Sequence, residues 1–232
     1  MRFGLISKKE DAAKEFNIGD KIGYAFGDFG CGILFGTVSR YLMIFYTDIL
    51  GISAAAAGTL FMIAKIWDAI NDPIMGIYID KRKASKHGKF KPYIMRFALP
   101  MIIASILTFT AIPGIPNNLK LPYAYVTYIL FGMLYTAVNI PYGSMAYTIS
   151  NNNDDIVSLS AFRGIGSMAS QLLLLIIAPR ILFGSGNIVK AQGFTKCILI
   201  CSVLAAISFI LNFRLTRERI TYNYVNKNTN LT

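Results

Sequence analysis

The sequence predicts an all-α polytopic membrane protein, a bundle of six transmembrane helices. Three observations carry this expectation. Apolar residues make up 54% of the 232-residue chain and charged residues only 15%, where a soluble domain carries about a quarter charged. The mean hydropathy is +0.50. The apolar residues also fall in long blocks, several close to the roughly 20 residues that span the hydrocarbon core of a bilayer.

The elements follow in order along the chain. Residues 1–20 are polar, with Lys8, Lys9, Glu10, Asp11, Lys14 and Glu15, and lack the apolar stretch of a cleavable signal. Apolar blocks then predict helices over 22–50, 54–79, 93–112, 123–149, 159–183 and 194–213. The breaker Pro113-Gly114-Ile115-Pro116 separates the third from the fourth, and the polar run Asn151-Asn152-Asn153-Asp154-Asp155 reads as the loop between the fourth and fifth. The organisation expected is a cytoplasmic segment at 1–20, a six-helix bundle at 21–213 and a polar cytoplasmic tail at 214–232 with no packed structure.

The formal net charge of +11 could point to nucleic acid, but its placement argues against that. Lys81, Arg82, Lys83, Lys86, Lys89, Lys91 and Arg96 crowd into one short stretch between apolar blocks. A cytoplasmic loop shows this pattern under the positive-inside rule, and no nucleic-acid motif accompanies the charge. The N-terminal segment and the tail are also basic, whereas the 3–4 loop has Lys120 and the 5–6 loop little beyond Arg180 and Lys190. Both termini are therefore expected in the cytoplasm, which needs an even number of spans. Cys31, Cys197 and Cys201 lie inside apolar blocks without metal-ligand spacing and read as small buried hydrophobes. His87 reads as solvated in the basic loop.

Small residues mark the first helix (Gly23, Gly27, Gly30, Gly32, Gly36) and the fourth (Gly132, Gly143, Ser144). Small residues let helices approach closely, and their recurrence at the start of each group of three helices hints at a three-plus-three repeat.

Charges inside the apolar blocks need a reason, because a charged side chain at mid-membrane costs about 2.5–3.5 kcal/mol on insertion scales. Asp28 lies within the first helix; Lys65, Asp68 and Asp72 lie within the second. Asp68 and Asp72 are i,i+4 neighbours on one face, and Lys65 shares it three residues earlier. Two carboxylates this close in a low-dielectric site cannot both ionise cheaply without a cation. A proton, a sodium ion or the lysine ammonium can fill that need. Asn71 adds an oxygen, and Pro73 frees the carbonyl of Ala69 one turn back. Such hard oxygen donors suit a small monovalent cation better than a transition metal. The competing reading is a purely structural charge network. Arg163 opens the fifth helix and could reach a polar ligand or cap the preceding loop. Arg40 reads as snorkelling, and Tyr24, Trp67, Tyr142 and Tyr147 as packing or stacking aromatics.

The stretch Trp67-Asp68-Ala69-Ile70-Asn71-Asp72-Pro73-Ile74-Met75-Gly76 resembles the second-helix signature of the glycoside–pentoside–hexuronide:cation symporters, the major facilitator branch that includes the melibiose permeases. Three further stretches agree in order and spacing: Tyr24-Ala25-Phe26-Gly27-Asp28-Phe29-Gly30, Gly88-Lys89-Phe90-Lys91-Pro92-Tyr93 and Asn139-Ile140-Pro141-Tyr142-Gly143. The resemblance covers roughly residues 20–213. It implies sugar uptake driven by co-transported Na⁺, H⁺ or Li⁺, with no enzyme activity and no cofactor, in a bacterial plasma membrane. By matching motifs, Asp68, Asn71 and Asp72 would hold the cation beside Lys65. Asp28, Asn139, Tyr142 and Arg163 would contact the sugar. Gly32 and Asn139 stand where the melibiose branch has aspartates, so the motifs look more like the xyloside and glucuronide branch.

Members of that family have twelve helices in two halves, and six are expected here, equivalent to the N-terminal half. The sugar cavity would then need a C-terminal half-transporter or a second copy as partner. Two other readings stay open: a truncated remnant that inserts without transporting, and an intramembrane aspartyl protease pairing Asp28 with Asp68.

Overall fold

A computed structural model describes residues 6–10, 15–81, 85, 88–183 and 191–223. Lys8, Lys9 and Glu10 are placed as backbone only; Asp11, Lys14, Arg82, Lys83, Lys86, His87 and Lys190 lie outside the described residues. Six helices are present among them: α1 (Ile18–Ile44, continued by a π-helical turn Phe45–Ile49), α2 (Ala54–Asp80), α3 (Lys91–Thr108), α4 (Asn117–Ile149), α5 (Asn153–Leu182) and α6 (Ala191–Leu215). The all-α expectation holds, with one addition. A short antiparallel ribbon joins β1 (Ile6–Glu10) to β2 (Ile220–Asn223). Four helices, α1 with its π turn, α4, α5 and α6, are long and apolar enough to cross a membrane. In α2 the charges Lys65, Asp68 and Asp72 interrupt the apolar run, and α3 is the shortest of the six, with Lys91 and Arg96 in its first two turns.

Most helices extend past their apolar blocks, because backbone hydrogen bonding continues wherever a cap satisfies the first N–H groups. At α1, the Asn17 side chain accepts from Gly19 N at 2.8 Å and the Asp20 carboxylate accepts from Asn17 N at 3.2 Å. At α5, Asn152 Oδ1 accepts from Asp154 N at 3.0 Å. The predicted loop at 151–155 shrinks accordingly. Asp154 and Asp155 sit in the first turn of α5, where the helix dipole favours negative charge. Lys120 likewise falls inside α4, whose start follows Pro116.

The packing pattern is a swap between two triplets. The main neighbours of α1 are α5 and α6, those of α4 are α2 and α3, and α3 packs on α6. Exchanging α1–α3 with α4–α6 leaves this pattern unchanged, in keeping with the three-plus-three hint. A reciprocal pair joins α1 and α4 where they meet. Tyr24 and Tyr142 stack with centroids 4.6 Å apart. Tyr142 OH donates to Tyr24 O at 2.6 Å, and Tyr24 OH donates to Tyr142 O at 3.2 Å.

Glycines permit these approaches. A Cβ on Gly27 would overlap the Tyr142 ring, and one on Gly166 of α5 would overlap the carbonyl oxygen of Ala25 on α1. The three cysteines are free and buried.

The tail expected to carry no packed structure is packed over residues 216–223, and residues 224–232 lie outside the described residues. Thr216 is buried, and Glu218 and Arg219 make multiple hydrogen bonds to helix ends. Polarity misled the prediction here, because apart from the Asp20 carboxylate most of the partners are backbone groups, which carry no sequence signal.

Candidate functional site

The acidic turn of α2 faces α4 across a cavity of about 310 Å³, at the small end of the range for small-molecule sites. Lys65, Asp68 and Asp72 line one wall. Gly132, Tyr135, Thr136 and Asn139 of α4 line the other, with Phe35 and Val38 of α1 at the edge. The i,i+3 and i,i+4 spacings thus place the three charged groups on one face, as expected. Lys65 Nζ lies 3.1 Å from Asp68 Oδ2, and the Lys65 side chain is 62% exposed. Its ammonium also sits over the Phe35 ring, 5.8 Å from the centroid.

Asp72 has a partner that the sequence reading did not name. Thr136 Oγ1 donates to Asp72 Oδ1 at 2.8 Å. Gly132, one turn earlier, leaves room for Asp68: a Cβ there would meet Asp68 Oδ1 at 3.1 Å. The available signal was a stripe of small and polar residues at helical spacing on α4, namely Gly132, Thr136 and Asn139. Two carboxylates, one hydroxyl and one amide are hard donors of the kind that suits a small monovalent cation. One ammonium stands against two carboxylates.

Asn71 is placed differently. It is buried on α2, its amide nitrogen has no hydrogen-bond partner among the described residues, and it is not among the cavity-lining residues. An unpaired buried amide donor costs about 1–3 kcal/mol.

A second polar cluster forms where α5 crosses α1. Arg163 Nε donates to Asp28 Oδ1 at 2.9 Å, with side chains 40% and 12% exposed. The guanidinium lies 5.3 Å from the Tyr142 ring centroid. One face of Tyr142 therefore meets Tyr24 and the ring also meets Arg163, so it is engaged by protein groups in this conformation. Trp67 and Tyr147 are exposed and outside the cavity lining. Tyr135, in the cavity wall, lies within electrostatic reach of Asp28, Arg163 and Asp72. The predicted residues therefore fall into two neighbouring groups: Lys65, Asp68, Asp72 and Asn139 around the cavity, and Asp28, Tyr142 and Arg163 beside it.

Asp28 and Asp68 each have a cationic partner of their own. A proton-sharing aspartyl dyad has no such arrangement.

Comparison with known proteins agrees with this picture. Residues 23–232 match the family described as "MFS/sugar transport protein". The chain is 40% identical over 203 residues to the "Isoprimeverose transporter" of Lactiplantibacillus pentosus, covering 87% of this chain and 42% of the relative. It is 37% identical over 212 residues to the "Uncharacterized symporter YnaJ" of Bacillus subtilis (90% and 45%). It is 34% identical over 203 residues to the "Putative glycoside/cation symporter YagG" of Escherichia coli (88% and 44%). The chain spans less than half the length of these relatives, and the part matched is their N-terminal half. The relatives are transporters, not enzymes. Six helices, an acidic turn facing a cavity inside an apolar bundle, and a match over nearly the whole chain lead to one conclusion: this is a multi-pass membrane protein belonging to the MFS/sugar transport protein family.

Proposed function

We propose that the chain is the cation-binding bundle of a sugar symporter. In this reading Asp68 and Asp72 hold the coupling cation, Thr136 and Asn139 supply neutral oxygens, and Lys65 is the internal counter-charge. Asp28 and Arg163 present a carboxylate and a guanidinium to sugar hydroxyls, with Tyr142 fixing Arg163 from beneath. Asn71, placed by motif in the cation site, acts from the buried face of α2. Both termini face the cytoplasm, with segments 1–20 and 214–232 flanking the bundle at 21–213.

The observation that carries this reading is the imbalance at the cavity: two carboxylates on one helical face against a single exposed ammonium. Such a pair is costly at low dielectric until a further positive charge arrives. Na⁺, Li⁺ and H⁺ all meet that requirement. The names of the relatives above suggest a glycoside or pentoside as the co-substrate.

Transport by alternating access rocks one bundle against another, so uptake is assigned to this bundle together with a second one. A C-terminal half or a second copy would serve.

The test has two parts. Purified chain in nanodiscs is titrated with NaCl, LiCl and acid while the fluorescence of its single tryptophan, Trp67, is followed. A saturable response that disappears in Asp68→Asn and Asp72→Asn supports the cation site; a response unchanged in both variants sinks it. Uptake of radiolabelled pentoside or glucuronide into vesicles is then compared for the chain alone and with a co-expressed C-terminal half of a relative. No uptake in either case would leave a folded, non-transporting bundle as the reading.

A further inference from the structure

Residues 216–219, directly after α6, are short, polar and unremarkable in sequence, yet they touch four helix ends at one end of the bundle. Thr216 Oγ1 donates back to Asn212 O at 2.6 Å, and Thr216 O accepts from Lys91 Nζ at 2.6 Å. Arg217 N donates to Asp20 Oδ1 at 3.0 Å. The Glu218 carboxylate accepts from three successive backbone donors at the start of α3: Lys89 N at 2.8 Å, Phe90 N at 2.9 Å and Lys91 N at 2.7 Å. Arg219 N donates to Thr148 O at 2.7 Å, at the end of α4.

The Arg219 guanidinium completes the arrangement. It donates to both carboxylate oxygens of Asp20, at 2.8 and 3.2 Å, and to Ile149 O at 3.4 Å. Asp20 is 1% exposed, so this pair is desolvated and strongly directional. Gly88, with φ +103°, brings the backbone before α3 against the Glu218 side chain, where a Cβ would overlap it. Orphan N–H groups at a helix start and orphan carbonyls at a helix end normally find local caps or water. Here α3 and α4 both use the same four-residue segment, and α1 supplies its acidic anchor.

We infer that residues 216–219 are a conformational clasp: leaving α6, the segment uses Glu218 and Arg219 to hold the ends of α1, α3 and α4 as one cooperative unit, so that the chain leaving the bundle governs when that end can open. The clasp is continuous with β2, which pairs with β1 ahead of α1. Force or rearrangement downstream of Ile220 is thereby delivered to three helix ends at once. α4, which carries Thr136 and Asn139 in the cavity wall, is one of them.

The test is amide hydrogen exchange on the full chain in nanodiscs. Glu218→Ala removes the acceptor of the Lys89, Phe90 and Lys91 amides, whose exchange should rise about tenfold or more, since each amide loses the hydrogen bond that protects it. The decisive variant is Arg219→Gln, because among the described residues the hydrogen bonds of Arg219 run to Asp20, Thr148, Ile149, Arg217 and Glu15 and not to α3. A cooperative clasp requires the same three α3 amides to exchange faster in that variant too, with Arg219→Lys intermediate. If Arg219→Gln leaves them at wild-type rates and loosens only its own contacts at α1 and α4, the clasp is refuted in favour of independent caps. Should Glu218→Ala not fold, Glu218→Gln, which retains one acceptor oxygen, is read by the same criterion.

Discussion

Substituting Gly166 by alanine should uncouple the Arg163–Asp28 pair without touching either residue. Gly166 lies one turn after Arg163 on α5 and faces Ala25, which lies one turn before Asp28 on α1. An alanine Cβ at 166 would overlap the Ala25 carbonyl oxygen and come within 2.9 Å of its carbon and 3.2 Å of its Cα. Backbone atoms cannot rotate away, so the helices must part by about 1 Å to restore ordinary contact distances. Overpacking of this kind costs about 1–3 kcal/mol. The same displacement carries Arg163 Nε from 2.9 Å beyond hydrogen-bonding reach of Asp28.

The pair itself contributes about 1–2 kcal/mol, a value reduced for the solvent that reaches the partly exposed arginine. A double-mutant cycle isolates it. Asp28→Asn is measured in wild-type and in Gly166→Ala backgrounds by reversible SDS unfolding followed by circular dichroism. In wild type the substitution should cost about 1–2 kcal/mol; in the alanine background, where the pair is already parted, close to nothing. Additive costs, equal in both backgrounds, would show that the α1–α5 spacing does not set the Arg163–Asp28 geometry.

Two further outcomes follow from the same structure. Lys65→Ala removes the one ammonium that lines the cavity beside Asp68 and Asp72 among the described residues, so the Na⁺ midpoint of the Trp67 fluorescence titration should fall several-fold; an unchanged midpoint would mean that Lys65 is not an internal competitor. Glu218 lies after α6, and burial pushes its carboxyl above the ordinary range, with the amides of Lys91, Lys89 and Phe90 and the Thr148 hydroxyl pulling it partly back. A docked acid with a raised pKa holds its proton more tightly than a free one. Docking is therefore strongest below the free-carboxyl pKa and weakens as pH rises through the raised value. Exchange of the Lys89, Phe90 and Lys91 amides, corrected for intrinsic chemistry, should be slower at pH 4 than at pH 7, and faster exchange at pH 4 would contradict the assignment.

The parts of the site that the sequence revealed are those where a local rule was broken. Lys65, Asp68 and Asp72 stand out because charges in an apolar run are expensive, and helical spacing then places them on one face without further information. Thr136 gives no such signal. Threonine satisfies itself in many membrane helices by donating to a carbonyl one turn back, as Thr127 does to Tyr123 O, so nothing in its own neighbourhood separates the one that donates to Asp72. Asn71 lies outside the cavity lining for a related reason: spacing gives an angular position around α2, but which angles are buried depends on how α4 lies across it. Residues 216–219 were least legible, because many of their partners are main-chain groups more than 65 residues away in sequence, such as the amides of 89–91 and the carbonyls of Thr148 and Ile149, and main-chain groups look alike in every sequence.

The exchange of partners between the two triplets has a consequence for how this bundle can be built. The acidic turn of α2 is completed by α4, and the guanidinium on α5 is completed by α1, so neither polar cluster belongs to a contiguous three-helix stretch. A protein cut in the α3–α4 connection, near Gly114, would yield two fragments that each carry half of both clusters and complete neither. The α2 cluster must wait for α4 to be inserted and Asp28 must wait for α5, and a chain interrupted during synthesis after α3 would leave the carboxylates of α2 in the bilayer without Thr136 to meet them.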